Sequence, residues 1–319
     1  MGAHPAPLTV REFFEEAYRP FRLAGKADTT VDAYRAALNH LTNGGPDPAL
    51  VDCDAAAIAG CCARLIDAGR SPATADKTRR HLAAILNYAA TLGKIDAAPK
   101  TDRIDQPKKI PEAWTVEQVA AILDAAKKQP GKIAGIPAPL WWSGLLLVLY
   151  DTGLRIGAAL ALRWEDYRTA PRPHVIARHE TQKQKADQLL DLADETVAAL
   201  NSLAQHLAFA NVADIPPAAR DCVFPWPHDQ GRPNWPTLTR RFRKILAAAG
   251  LPAGRRDLFH RLRRTTASYL AAAGANAQHR LGHSSATVTA AYLDPRITGL
   301  VDGAAKLPRP GKKRGEARR

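Results

Sequence analysis

Hydrophobic positions in the first hundred residues recur every three or four places, the period of a helix with one buried face. Over residues 8–23, Val10, Phe13, Phe14 and Ala17 share a face. A second helix, capped by Thr29 or Thr30, aligns Val31, Tyr34, Leu38 and Leu41. A third covers residues 54–68. Ser71-Pro72, a capping residue followed by proline at the first helical position, opens a fourth that ends near Gly93. Four such helices predict a small bundle. Residues 99–111 mix prolines with charges and predict a linker between a first domain, 1–98, and a second, 112–295, followed by a basic tail, 296–319.

The second domain opens with Thr115-x-x-Gln118, a capping box. Helices are predicted over residues 140–149 and 155–164, broken at Thr152-Gly153. Residues 174–179 and 188–192 predict two strands, with 181–187 turning between them, and helices return from Thr237. Beyond Pro295, the spacing of Ile297, Leu300, Val301 and Ala304 predicts a short helix that docks on a neighbouring subunit or packs in cis. The fold class is mainly α: a helical bundle, then an α-rich domain with a small antiparallel β-sheet.

Charge sharpens this picture. Residues 1–105 hold 13 basic and 13 acidic side chains, whereas residues 106–319 hold 32 and 18, so the second part carries the whole excess of +14. Such an excess attracts a polyanion, and nucleic acid is the expected one. Cys53, Cys61, Cys62 and Cys222 lack the spacing of a zinc site or disulfide framework and read as buried thiols of a reducing compartment. The N-terminus has no basic flank before an apolar run, and the apolar stretch 139–150 is shorter than the ~20 residues a bilayer requires. A soluble, cytoplasmic protein is expected, with no membrane partner.

Chemistry concentrates after residue 259. His260-Arg261-Leu262-Arg263 is followed by Leu281-Gly282-His283 and then Tyr292. Arginine binds a phosphate in bidentate fashion, histidine exchanges protons near neutral pH, and tyrosine offers an oxygen nucleophile. His260 and Arg263 lie one turn apart on a helix, beside a stripe of Phe259, Leu262, Thr266 and Tyr269. Together these groups can cleave a DNA phosphodiester with no metal or other cofactor.

The segment "HRLRRTTASYL", the turn "LGHSS" and a tyrosine nine residues after its histidine resemble the second conserved box of the tyrosine recombinases, or phage integrase family. Upstream, "TGLRIGAALALRWEDY" resembles the first box, with Arg155 as its arginine and Ala158 where the family usually carries a carboxylate. The family's catalytic lysine lies in a β-hairpin eight residues before a proline. Counting back from Asp191 gives Lys183, with Lys185 as the alternative. The resemblance implies a SAM-like core-binding bundle, a catalytic set of Arg155, Lys183, His260, Arg263, His283 and Tyr292, and a 3′-phosphotyrosyl intermediate formed without ATP. It implies double-stranded DNA as partner and a homotetramer on two DNA sites, with accessory DNA-bending or directionality proteins.

Two other functions use similar parts. A type IB topoisomerase relaxes supercoils with a related residue set, and a DNA-binding relative without catalysis would act as a regulator. The pair His279 and His283 has metal-ligand spacing, but Arg280 and Gly282 argue against a metal. The run from Arg240 to Lys244, "RRFRK", reads as a DNA-facing or solvated helix surface.

Overall fold

The structure, a computed structural model, describes residues 7–107, 109–182, 184–209, 215, 217–226, 234–255 and 257–299. The chain divides into two compact units, Met1–Lys108 and Lys109–Arg319.

In the first unit, Thr9 and Glu12 cap each other reciprocally at the start of α1 (Val10–Phe13). A π-helical turn, Phe14–Tyr18, follows and leads into α2 (Arg19–Arg22). Next come α3 (Asp28–Thr42), α4 (Ala55–Asp67) and α5 (Pro72–Thr91). Asp54 caps α4 and Ser71 caps α5. The cap of α3 differs from the expectation: it is Ala27, with no side-chain bond, and Thr29 and Thr30 lie inside the first turn. Gly25, at φ +68°, turns the chain early enough for Asp28 to begin the helix and place its charge at the positive end of the dipole.

Phe13, Phe14, Leu38, Ile58, Leu82 and Ile85 form the heart of this unit's core. Cys53 and Cys61 lie within it, and loss of solvent pushes their thiols up to about 12 and about 11, far from a reactive thiolate. Buried Asp76 pairs with Arg79 and Arg80, accepts the Ile104 amide, and Arg79 reaches Thr101, so residues 101–104 are bound back along α5.

The second unit is built around α7 (Ala138–Thr152), preceded by α6 (Val116–Lys127) and the hairpin β1 (Lys132–Ile133) and β2 (Ile136–Pro137). The capping box of Thr115 and Gln118 is formed. Helix α7 is apolar on nearly every side because α6, α9 (Asp194–Phe209) and α11 (Phe259–Ala272) all pack on it. Between α7 and α9 lie α8 (Ile156–Leu160) and an antiparallel sheet ordered β3 (Tyr167–Arg168), β4 (His174–Ala177), β5 (Gln188–Asp191). His174 pairs with Asp191 and Ala177 with Gln188, which closes the predicted hairpin.

Helix α10 (Trp235–Ala248) contributes Phe242, stacked on Phe259 of α11 at 4.3 Å between ring centroids. The chain ends its described course with α12 (Ala277–Leu281), α13 (Ala286–Ala290) and α14 (Pro295–Thr298).

Two expected helices are shorter than their spacing implies. The segment 155–164 leaves the helix after Leu160 because the Leu162 carbonyl accepts from Val223 N–H and Trp164 N–H donates to the Asp221 carbonyl. The tail helix stops at Thr298, where Gly299 adopts φ +107°, and Leu300, Val301 and Ala304 lie outside the described residues. Among the described residues no helix is long and apolar enough to cross a membrane.

Gly153 ends α7 at φ +62°, and a methyl group there would stand 2.8 Å from Leu281 Cδ2. Gly153→Ala therefore incurs both left-handed strain and overpacking. We expect a loss of about 2 kcal/mol or more in chemical denaturation, and an unchanged midpoint would show that the turn relaxes freely.

Candidate active site

Four short segments converge where α7 gives way to α8. Gly153 turns the chain so that Arg155 becomes the N-cap residue of α8, with extended backbone and its side chain outside the helix. Helix α11 supplies His260 and Arg263 one turn apart. Helix α12 is capped by Asn276 and ended by Gly282 at φ +61°, which reverses the chain and delivers His283. After α13, Tyr292 follows within one turn.

Arg263 lies in the interior, only 2% exposed. A buried guanidinium costs several kcal/mol unless its protons are satisfied. Arg263 Nη1 donates to the Gly153 carbonyl, while Nη2 donates to the Leu281 carbonyl at 2.7 Å and meets His283 Nε2 at 3.1 Å. The remaining side of His283 is held by Thr289 Oγ1, 3.1 Å from Nδ1. Because Arg263 can only donate, Nε2 must accept, and the proton of the neutral ring sits on Nδ1 facing Thr289.

Tyr292 lies between the two histidines, with ring centroids 5.0 Å from His260 and 4.6 Å from His283, and Arg263 Cζ is 5.7 Å from its ring. The imidazole of His260 is pushed down to about 4 by crowding from surrounding protein and by the charges of Arg264, Arg263 and Arg155, although the residue as a whole remains exposed. His283 is likewise held at about 4 by burial and by Arg263, Arg155 and His260. Burial and Arg155 lower Arg263 to about 10, an effect that Tyr292 partly offsets. Among the described residues, Arg155 Nη1 and Arg263 Nε are buried without a hydrogen-bond partner. Positive donors that repel one another, with protons left unpaired, form a seat for an anion.

The structure thus brings Arg155, His260, Arg263, His283 and Tyr292 together. Lys183 lies outside the described residues; Lys185 is exposed and left-handed, at φ +54°. Ala158, where a carboxylate was expected by resemblance, is buried in the core. Three contributors were not read from sequence: Thr289, which fixes the His283 tautomer; the Gly153 carbonyl; and Arg280. Arg280 binds the carbonyls of Asp151 and Asp191 and the Asp191 carboxylate, and Gln188 donates to the His279 carbonyl, so the turn before His283 is tied to the β4–β5 hairpin. A polar residue one place before Leu-Gly-His was the available signal for Arg280; carbonyl partners leave none.

Residues 112–297 match the phage integrase family. The chain belongs to that family. Among the relatives of this chain is a Pseudomonas aeruginosa protein that carries the name tyrosine recombinase XerC. The two are 25% identical over 284 residues, which cover 84% of this chain and 65% of the relative, so the chain spans just under two thirds of that protein's length. The fold resembles that of a lambda integrase dimer bound to a COC′ core site (TM-score 0.70, 20% identity, covering 92% of this chain and 98% of that one). It also resembles the Tn1549 transposon integrase in complex with circular intermediate DNA (TM-score 0.65, 19% identity, 90% and 95% covered). Phage integrase architecture, mainly helical with a small antiparallel sheet, is therefore the fold of this chain.

The histidine environments predict a titration. In the free protein both imidazoles should stay neutral well below the ordinary value of 6.5 and titrate at about 4. The unfolded chain then binds these protons first, so stability should fall as pH drops from about 6.5 towards about 4. NMR titration of the ring protons checks this, and a midpoint near 6.5 for either residue would contradict the geometry.

Proposed function

We propose that this chain is a site-specific DNA recombinase that cleaves and rejoins strands through a 3′-phosphotyrosyl intermediate. The observation that carries this reading is the position of Tyr292 between two histidines, beside buried guanidinium protons that have no partner among the described residues. Tyr292 Oη attacks phosphorus, and the bond to the 5′-oxygen breaks. His260, neutral before DNA arrives, is the base that takes the phenol proton. Arg155 and Arg263 hold the non-bridging oxygens, and Lys183 returns a proton to the departing 5′-oxygen. Attack by a 5′-hydroxyl reverses the step. One phosphodiester replaces another, so the exchange needs no ATP and, on this reading, no metal.

The seat tunes itself. Burial and then the neighbouring cations hold both imidazoles low, and an incoming phosphate cancels part of the cationic share, so His260 becomes a stronger base when substrate is present. His283 accepts from Arg263 in the DNA-free protein; to donate to phosphate, it must take up a proton or change tautomer.

Double-stranded DNA is the proposed partner, with a homotetramer on two sites as the working assembly. One of the neighbouring structures is a lambda integrase tetramer bound to a Holliday junction. On α10, Phe242 faces the core and Arg241 lies over Trp226, whereas Arg240, Arg243 and Lys244 are exposed. This basic face is the proposed phosphate-contacting surface.

Two experiments test the reading. With nicked DNA carrying the cognate site, the protein should form a denaturation-resistant adduct in excess chelator. Tyr292→Phe should form none, and Arg155→Ala or Arg263→Ala should slow it by roughly a hundred- to thousand-fold. An adduct that persists in Tyr292→Phe would remove the nucleophile assignment. Binding without an adduct would favour a regulator, and relaxation of supercoils without site preference a topoisomerase. Separately, Arg240→Ala with Lys244→Ala should reduce the salt-dependence slope of binding to a random-sequence duplex by about 1.8, from ~0.9 per phosphate contact. An unaltered slope would direct the contact elsewhere.

A further inference from the structure

The nucleophile segment is anchored from a side that the reaction does not use. Residues 112–114, near the start of the second unit, lie against α11. The Trp114 amide donates to Thr265 Oγ1 at 2.8 Å, and the Ala113 carbonyl accepts from Arg261 Nε and Nη2 at 3.3 and 3.1 Å. Arg261 is nearly buried, stacks 3.6 Å from the Trp114 ring centroid and pairs with Asp257. Arg261, Thr265 and Ser268 fall at i, i+4 and i+7, so one face of α11 holds this strap while His260 and Arg263 serve the site.

Asp294 joins that strap to Tyr292. It is 2% exposed, and its Oδ2 accepts the Ala113 amide at 2.8 Å. Its own amide donates to Ser268 Oγ at 2.9 Å, and Ser268 Oγ, bonded to the Arg264 carbonyl, lies 3.5 Å from the Tyr292 carbonyl. Arg296 completes the carboxylate's bonding through Nε and Nη2, both at 2.8 Å. The backbone of Ala113 thus accepts through its carbonyl from Arg261, the residue next to His260, and donates through its amide to Asp294, the residue two beyond Tyr292.

We propose that Asp294 is a positioning residue for Tyr292, and that the strap at Ala113 is the fixed point against which it sets the phenol relative to His260 and Arg263. This rests on the reading of Tyr292 as the nucleophile. It requires no contact of Asp294 with DNA. Its action is geometric: two hydrogen bonds, one from each side of the residue, fix the backbone just beyond the phenol.

The test places 3-fluorotyrosine at position 292 of the full chain and records the fluorine resonance without DNA, alongside thermal unfolding. The unaltered chain should give one resonance. Asp294→Ala should move or split it in protein that is still folded, because the Ala113 amide loses its acceptor. Asp294→Asn keeps an oxygen for that amide and should restore the single resonance, as should Arg296→Ala, which leaves the Ala113 contact intact. An unchanged resonance in Asp294→Ala overturns the proposal; so does an Asp294→Asn spectrum as altered as that of Asp294→Ala, which would assign the effect to charge. Should Asp294→Ala fail to fold, Ser268→Ala removes the other bond and must displace the resonance, and an undisturbed signal there overturns the proposal equally. No strand cleavage enters this readout. A displaced resonance in a chain that never forms a DNA adduct would therefore sink the nucleophile reading while leaving the positioning intact.

Discussion

One buried charge organises the second unit. The guanidinium of Arg263 sits in the interior, where desolvation opposes it and nearby Arg155 repels it. It can remain there because two main-chain carbonyls and one imidazole are aimed at it. The acceptors come from two segments, the end of α7 and the Leu281–His283 turn that ends α12, while Arg263 itself stands on α11. Satisfying this single cation therefore fixes the relative placement of three pieces of chain. Gly153 and Gly282 are at positive φ because the carbonyls and the His283 ring must be turned towards it.

The same constraint sets the protonation of the site. Loss of solvent, reinforced by Arg264, Arg263 and Arg155 around His260 and by Arg263 and Arg155 around His283, pushes both imidazoles down towards about 4, which favours their neutral forms near neutral pH. Charge that is unfavourable to the protein alone becomes complementary once an anion fills the seat. The protons on Arg155 Nη1 and Arg263 Nε that find no partner among the described residues are the structural mark of that unfinished balance.

Much of this was legible in the sequence, for definite reasons. Side chains that act through their own atoms appear as residue types at fixed spacing, so His260, Arg263, His283 and Tyr292 could be read directly, as could the caps at Asp54, Ser71 and Thr115. Contributions made by the backbone left little trace. The end of α8 at Leu160 depends on hydrogen bonds to residues 221–223, about sixty places away, and no local propensity encodes them. The short strands β1, β2 and β3 were likewise missed, since two residues cannot display a period. The cap of α3 moved from the threonines to Ala27 because a glycine turn, rather than a capping side chain, decides where that helix begins.

Arginines that read carbonyls have a consequence for how this protein can drift. Arg263 binds the carbonyls of Gly153 and Leu281, Arg280 those of Asp151 and Asp191, and Arg261 that of Ala113. A carbonyl is common to all twenty residue types, so these five positions are constrained by backbone path rather than by side-chain identity at the bond itself. Leu281 and Ala113 can be exchanged for residues of similar volume while the bond persists, whereas Gly153 cannot, because its conformation as well as its oxygen is used. Mutational change can thus accumulate around such a site, one side chain at a time, while the guanidinium geometry at its centre stays where it is.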